Sequence, residues 1–310
     1  MEKVAYESSA EVFGGVSPNV VAIAKPPWAN KPHSGELERM ILQLGSGKGR
    51  FSEVTGIPRS IGCIGNNRFI LRRNPLSVER VKELIRGFHE AGGEELWLTN
   101  YDNVDYLLSM ASYATEIGVP EVYTVVLLDD MDEVKPLEGV KVVVELEYSE
   151  ENIRRLDEFE WAHGALIMVE GSKLEKLLGS KLNFGGEVYV DLLFPPSARF
   201  LDFNVIEVRR IFNPSVDRYH DCLAGTLAIT ADGYALPCPL LRNYVVADVS
   251  GTDIKGVMKK KRLKAFWTKT KDKIEACSTC PLRYICHDCR ALEYQATGEV
   301  DGMEYCPMLL

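Results

Sequence analysis

No apolar run in this 310-residue chain approaches the roughly 18 residues of a membrane span. The N-terminus, Met1 to Tyr6, has no secretory apolar core. Positive charge is also scarce: 36 Lys and Arg against 45 Asp and Glu leave a formal charge of −9. The expectation is a cytoplasmic protein with no nucleic-acid partner and no membrane partner. Several catalytic signatures are missing too. The five histidines, His33, His89, His163, His220 and His287, show no HxxxH or HExxH spacing, and there is no G-x-S-x-G. Gly45 to Gly49 is glycine-rich but fails as a phosphate loop, because Leu42 stands where the first glycine belongs and Gly49 where Ser or Thr would hold magnesium. Cysteine is almost absent from the first 221 residues, where Cys63 is the only one.

The other seven cysteines lie in the last 89 residues: Cys222, Cys238, Cys277, Cys280, Cys286, Cys289 and Cys306. Four of them form C-x2-C-x5-C-x2-C. In a reducing compartment such clustering points to metal rather than disulfides, and seven thiols cannot all pair among themselves. Short spacers between thiolates suit a polynuclear iron site. A structural zinc uses the same C-x2-C pairs, and on spacing alone it stays open.

The chain is 46% hydrophobic, enough for one large core or two smaller ones. Residues 1–58, rich in Pro, Gly and Ser, read as an irregular extension with one short helical pattern around Leu37, Met40, Ile41 and Leu44. Residues 59–200 alternate between strands and helices. The strands are expected at Arg68–Arg72, Glu95–Thr99, Val122–Leu128, Lys141–Leu146, Ala165–Val169 and Val188–Phe194, several of them nearly continuous apolar runs. Amphipathic helices are expected over Ser77–Gly92 and Asn103–Gly118, and Ser149 reads as an N-cap. Six such units make an α/β domain, either a partial barrel or a doubly wound sheet. Residues 201–221 form a connector. In the 222–310 region, residues 227–236 read as a hairpin turning at Asp232-Gly233 and delivering Cys238, and Asp253–Lys269 reads as a helix.

The run "CLAG…ITADGYALPCP", followed by "CSTCPLRYICHDCRALEYQATGE…YCP", resembles the SPASM domain that follows the barrel of many radical S-adenosylmethionine enzymes. The variant it is most similar to belongs to the haem-biosynthesis and peptide-maturation branches. The resemblance covers residues 222–310, and it implies a partial (β/α)6 barrel ahead of a small cysteine-rich SPASM-type iron–sulfur domain. It also implies two auxiliary [4Fe–4S] clusters. One would be held by Cys277, Cys280, Cys286 and Cys306, the other by Cys222, Cys238 and Cys289. The second set is one cysteine short, because relatives carry another six residues after the first, where this chain has Ala228. His220, Asp221, His287 and Asp288 are the candidates for its fourth ligand.

Two further features of that superfamily are missing. Its C-x3-C-x2-C loop is reduced to Cys63, with Asn67 and Ile70 at the other two positions. Its Gly-Gly-Glu follows the second strand, whereas Gly92-Gly93-Glu94 precedes the strand here and reads as a helix stop. S-adenosylmethionine is therefore not expected as a cofactor, and Cys63 reads as a small buried residue. The leading expectation is an electron-transfer or substrate-presenting partner of a maturation enzyme. The alternatives are an enzyme of peptide or cofactor maturation using an open iron of the three-cysteine cluster, with a peptide as candidate substrate, or a purely structural metal domain. Lys255–Lys273 carries nine basic residues and one acid. It is the expected docking patch for an acidic electron carrier or a radical enzyme, with Phe266 and Trp267 as candidate anchors.

Overall fold

A computed structural model describes residues 19–29, 31–45, 63–65, 72–180, 182–193, 215–284, 286, 289–304 and 306. Its frame is one ten-stranded sheet, ordered β1-β7-β6-β5-β4-β3-β2-β8-β9-β10. The strands are β1 (Val20–Ile23), β2 (Arg39–Gln43), β3 (Glu95–Thr99), β4 (Glu121–Leu127), β5 (Val140–Glu147), β6 (Gly164–Glu170), β7 (Glu187–Leu193), β8 (Thr226–Ile229), β9 (Tyr234–Leu236) and β10 (Ala247–Asp248). From β1 to β8 every pairing is parallel, and only the β8–β9 and β9–β10 pairings are antiparallel. The expected mixed α/β class, a large parallel sheet consistent with a partial barrel, is what the chain adopts.

Helices α1 (Val78–Glu90), α2 (Val104–Glu116), α3 (Glu150–Leu156) and α4 (Leu174–Leu178) connect the successive parallel strands. In α1, Val81, Leu84, Ile85 and Phe88 form the buried stripe, and the Ser77 side chain caps the start by accepting from the Arg80 amide at 3.2 Å. Gly92 ends the helix at φ 83°, and a Cβ on Gly93 would collide with the Phe88 ring. Gly92-Gly93 is thus a stop and a close-packing point. Asn103 and Ser149 cap α2 and α3 in the same way.

Alternation along the strands sorts two cores. Leu96, Leu98, Val122, Val142 and Val144 face the helices. Ile41, Trp97, Tyr123, Val143, Leu166 and Tyr189 fill the opposite face. There Trp28 meets Trp97 edge-on at 5.6 Å and Trp97 stacks on Tyr123 at 4.1 Å. Each such pair contributes about 0.5–1.5 kcal/mol beyond its buried area.

Two expectations for residues 1–58 do not hold. The pattern around Leu37, Met40, Ile41 and Leu44 is no helix. Arg39–Gln43 is strand β2, paired with β3 on one side and β8 on the other, and Val20–Ile23 is strand β1, paired with β7. The segment read as an extension therefore supplies two strands of the sheet. Alternation in β2 is masked because the polar Arg39 and Gln43 are buried on its inner face, Arg39 through an ion pair with Glu95 (2.7 Å) and a bond to Thr226 (3.2 Å). The strand expected at Arg68–Arg72 lies mostly outside the described residues, and Arg72 is in a bend. The helix expected over Asp253–Lys269 is two shorter ones, α5 (Ile254–Met258) and α6 (Lys261–Trp267), broken at Lys259-Lys260 where the chain extends. The break lets Ile254 and Val257 pack alongside Leu263 and Trp267. Helices α7 (Glu275–Ser278) and α8 (Arg290–Thr297) complete the chain.

Candidate metal centre

The hairpin forms where it was expected. Strands β8 and β9 pair antiparallel around Asp232-Gly233, with Gly233 at φ 85°. The two ends of this hairpin carry Cys222 and Cys238. One distant and one local contact hold Cys222: its carbonyl accepts from the Trp28 indole at 3.1 Å and from the nearby Thr226 hydroxyl at 3.3 Å. The residue before it, Asp221, offers its carbonyl to the His33 ring at 2.6 Å. Cys238 follows β9 in a tight turn closed by the Leu241 amide (3.0 Å). Cys289 caps the start of α8, a helix that ends at Gly298 in the left-handed conformation.

These three cysteines line one recess with Pro26, Trp28, Leu240, Arg290 and a fourth cysteine, Cys63. Cys63 comes from the segment between β2 and α1 and packs against the inner-face core, which also holds Ala228. Ala228, where relatives carry a cysteine, is buried in β8 opposite Ile41 and does not line the recess. Burial pushes the Cys63 and Cys222 thiols well up, with the neighbouring sulfurs reinforcing the shift. The Cys238 thiol is pushed up to about 12 by burial. Burial raises Cys289 as well, while the amides of Leu292 and Ala291 and the Arg290 guanidinium favour its thiolate. Four recessed thiols of this kind, Cys238 buried and the other three half-buried, either stay protonated or share a cation.

Cys277, Cys280, Cys286 and Cys306 form a second group. Cys277 lies within electrostatic reach of Cys306 and Cys286, and Cys286 within reach of Cys306 and Cys280. Lys271 and Arg290 oppose the burial that raises Cys277 and Cys286. Arg290 is 1% exposed and donates to the carbonyls of Val300 (3.1 Å) and Gly302 (2.8 Å). It also lines the recess of the first group, so one buried guanidinium stands between the two.

His220 and Asp221 line a separate, neighbouring pocket with Lys271 and Arg290. His220 Nδ1 accepts from the amides of Cys222 (3.2 Å) and Leu223 (3.4 Å) and lies 3.8 Å from the Cys222 sulfur. His287 and Asp288 lie outside the described residues. Phe266 and Trp267 are core residues, 2% and 1% exposed, so they cannot anchor a partner. The Trp267 indole instead donates to the Thr226 carbonyl at 2.9 Å. Of the basic run, Lys255, Lys259, Lys260, Lys261, Arg262 and Lys264 are exposed.

Among the described residues, no three His, Cys, Asp or Glu side chains sit close enough to hold a single metal ion. All eight cysteines are free of disulfides. Thiols gathered around a recess supply the donor type that an iron–sulfur cluster takes.

A parallel-stranded partial barrel followed by grouped cysteines defines the class: an α/β barrel protein with a C-terminal metal-cluster region. Residues 222–281 match the SPASM family model, an iron-sulfur cluster-binding domain. Over 87% of its length the chain is similar in fold to Streptococcus suis SuiB bound to S-adenosylmethionine, covering 74% of that chain at 12% identity with a TM-score of 0.52. A second SuiB structure gives 0.42 at 12% identity, over 87% of this chain and 76% of that one. None of the curated protein sequences matches the chain. The chain thus joins a match to the SPASM iron-sulfur cluster-binding model over residues 222–281 to an overall fold similar to that of SuiB.

Proposed function

We propose that this is a cytoplasmic two-cluster iron–sulfur protein without radical chemistry, which relays electrons or presents substrate to a maturation enzyme. The observation that carries the reading is the pair of cysteine groups sharing one buried cation, Arg290. Bound clusters supply one-electron transfer, and the chain's own residues do the rest. Arg290 offsets negative charge at both groups, which favours a reduced state. Trp28, Leu240 and Ala291 wall the first recess against water. The sequence adds that only Cys63 remains of a C-x3-C-x2-C loop.

Anaerobic purification with iron and sulfide determination tests this. About eight irons and eight sulfides per chain are expected, four of each per cluster. Reductive titration should then resolve two one-electron steps. Zinc without acid-labile sulfide would reject the reading, and so would 5′-deoxyadenosine formed from S-adenosylmethionine and dithionite.

A further inference from the structure

We infer that Cys63 is the fourth thiolate ligand of the first site, so that the barrel and the cysteine-rich region hold that cluster between them. The inference deepens the proposed function and rests on it. Its basis is convergence: Cys63 lines the same recess as Cys222, Cys238 and Cys289, although 159 residues separate it from the nearest of them in sequence (222 minus 63). A small residue filling a core would be buried, but it would have no reason to share a recess with three other sulfurs. No disulfide accounts for the meeting.

The neighbours of Cys63 hold it in place. Ile64 is buried in the inner-face core, 1% exposed. Gly65 follows at φ 60°, and a Cβ there would collide with the Glu145 carboxylate. The Tyr101 hydroxyl sits between the Gly65 carbonyl and Glu145, at 2.5 Å from the latter. Residues from the ends of β3 and β5 thus fix the segment 63–65 at the carboxyl end of the sheet, where strand-end side chains commonly build sites. The described competitors are differently engaged. His220 takes up the amides after it, and both His220 and Asp221 line the neighbouring pocket instead.

Ligation exchanges one bond for another. On ligation the Cys63 thiol would give its proton to solvent, and its thiolate would take the place of a water-derived ligand released to solvent, with no change in electron count. The site then has four protein sulfurs and no open iron, which removes the basis for Lewis-acid chemistry there. Loading also ties Cys63 to the hairpin, so cluster binding and the docking of residues 63–65 become one equilibrium.

The test uses anaerobically purified full-length holoprotein. In the wild type, Cys63 should resist iodoacetamide while clusters are bound and become alkylated after iron chelation, as read by peptide mass spectrometry. Cys63→Ala should lose at least one of about eight irons and give a three-iron EPR signal on oxidation, while the second cluster's signal persists as evidence of folding. Cys63→Ser, which can still ligate through oxygen, should keep more iron and shift the spectrum. Rapid alkylation of Cys63 in the eight-iron protein, or an unchanged Cys63→Ala spectrum and iron count, overturns this inference alone. A wild type without iron and sulfide instead sinks the proposed function beneath it.

Discussion

The two cysteine groups are built in opposite ways. Cys277, Cys280, Cys286 and Cys306 span 29 positions (306 minus 277), and the first two sit on or beside one short helix, α7. Cys63, Cys222, Cys238 and Cys289 span 226 (289 minus 63) and come from the segment between β2 and α1, both ends of a hairpin and the N-cap position of α8. The first arrangement assembles from local turns, so it needs little support from the sheet. The second exists only when β2, β8 and β9 are side by side, because β8 is what docks the hairpin onto the barrel. A site of the second kind reports on the whole fold, and a site of the first kind reports mainly on its own segment.

The largest expected effect breaks the scaffold under the distributed site and leaves the local one. Glu95 holds buried Arg39, which also bonds Thr226 and stacks 4.3 Å from the Trp28 ring that walls the recess. Glu95→Ala strands a buried guanidinium and should destabilise the protein by about 3–5 kcal/mol in denaturant melts. The distributed cluster should bleach first. The same pair sets an acid limit. Although burial opposes it, Arg39 and then Lys31 hold the Glu95 carboxyl at about 2, below the ordinary carboxylate value of 4.5. Its stabilisation, on the order of 3 kcal/mol, is complete above pH 4.5 and is lost as pH falls toward 2. A melt series across that window should show the wild type losing stability that Glu95→Ala never had.

A smaller effect sharpens the comparison, because it acts on both groups together. Arg290→Met removes the cation between them and should lower both reduction potentials, since a positive charge favours the more negative reduced cluster. Redox titration of each EPR signal would show which group is more strongly coupled, and two unmoved potentials would contradict the placement of Arg290. The smallest expected effect concerns the surface. Charge reversal of exposed Lys259, Lys260 and Lys261 to Glu should slow electron exchange with an acidic donor and flatten its salt dependence, as stopped-flow traces would show. The clusters themselves should be unaffected.

The local site was legible because its information is local. C-x2-C pairs, the Asp232-Gly233 turn and the glycine stops at Gly92 and Gly118 each state their meaning within a few residues. Strand Glu95–Thr99 and its neighbours were readable for a related reason: helices cover one face and aromatic residues the other, so both faces are apolar. Strand β2 was not readable. Its inner positions hold Arg39 and Gln43, polar residues whose burial makes sense only beside Glu95 and Thr226, 56 and 187 residues away in sequence.

Sequence alone therefore determined the class of the fold, the cysteine-rich end and the absence of a three-cysteine radical loop, because short-range spacing and periodicity carry those properties. Tertiary structure decided that residues 20–23 and 39–43 belong to the sheet, that Phe266 and Trp267 are core, and that Cys63 joins Cys222, Cys238 and Cys289 at one recess. Such facts depend on which strands become neighbours. Parallel pairing brings together residues more than a hundred positions apart, through contacts that no local pattern encodes.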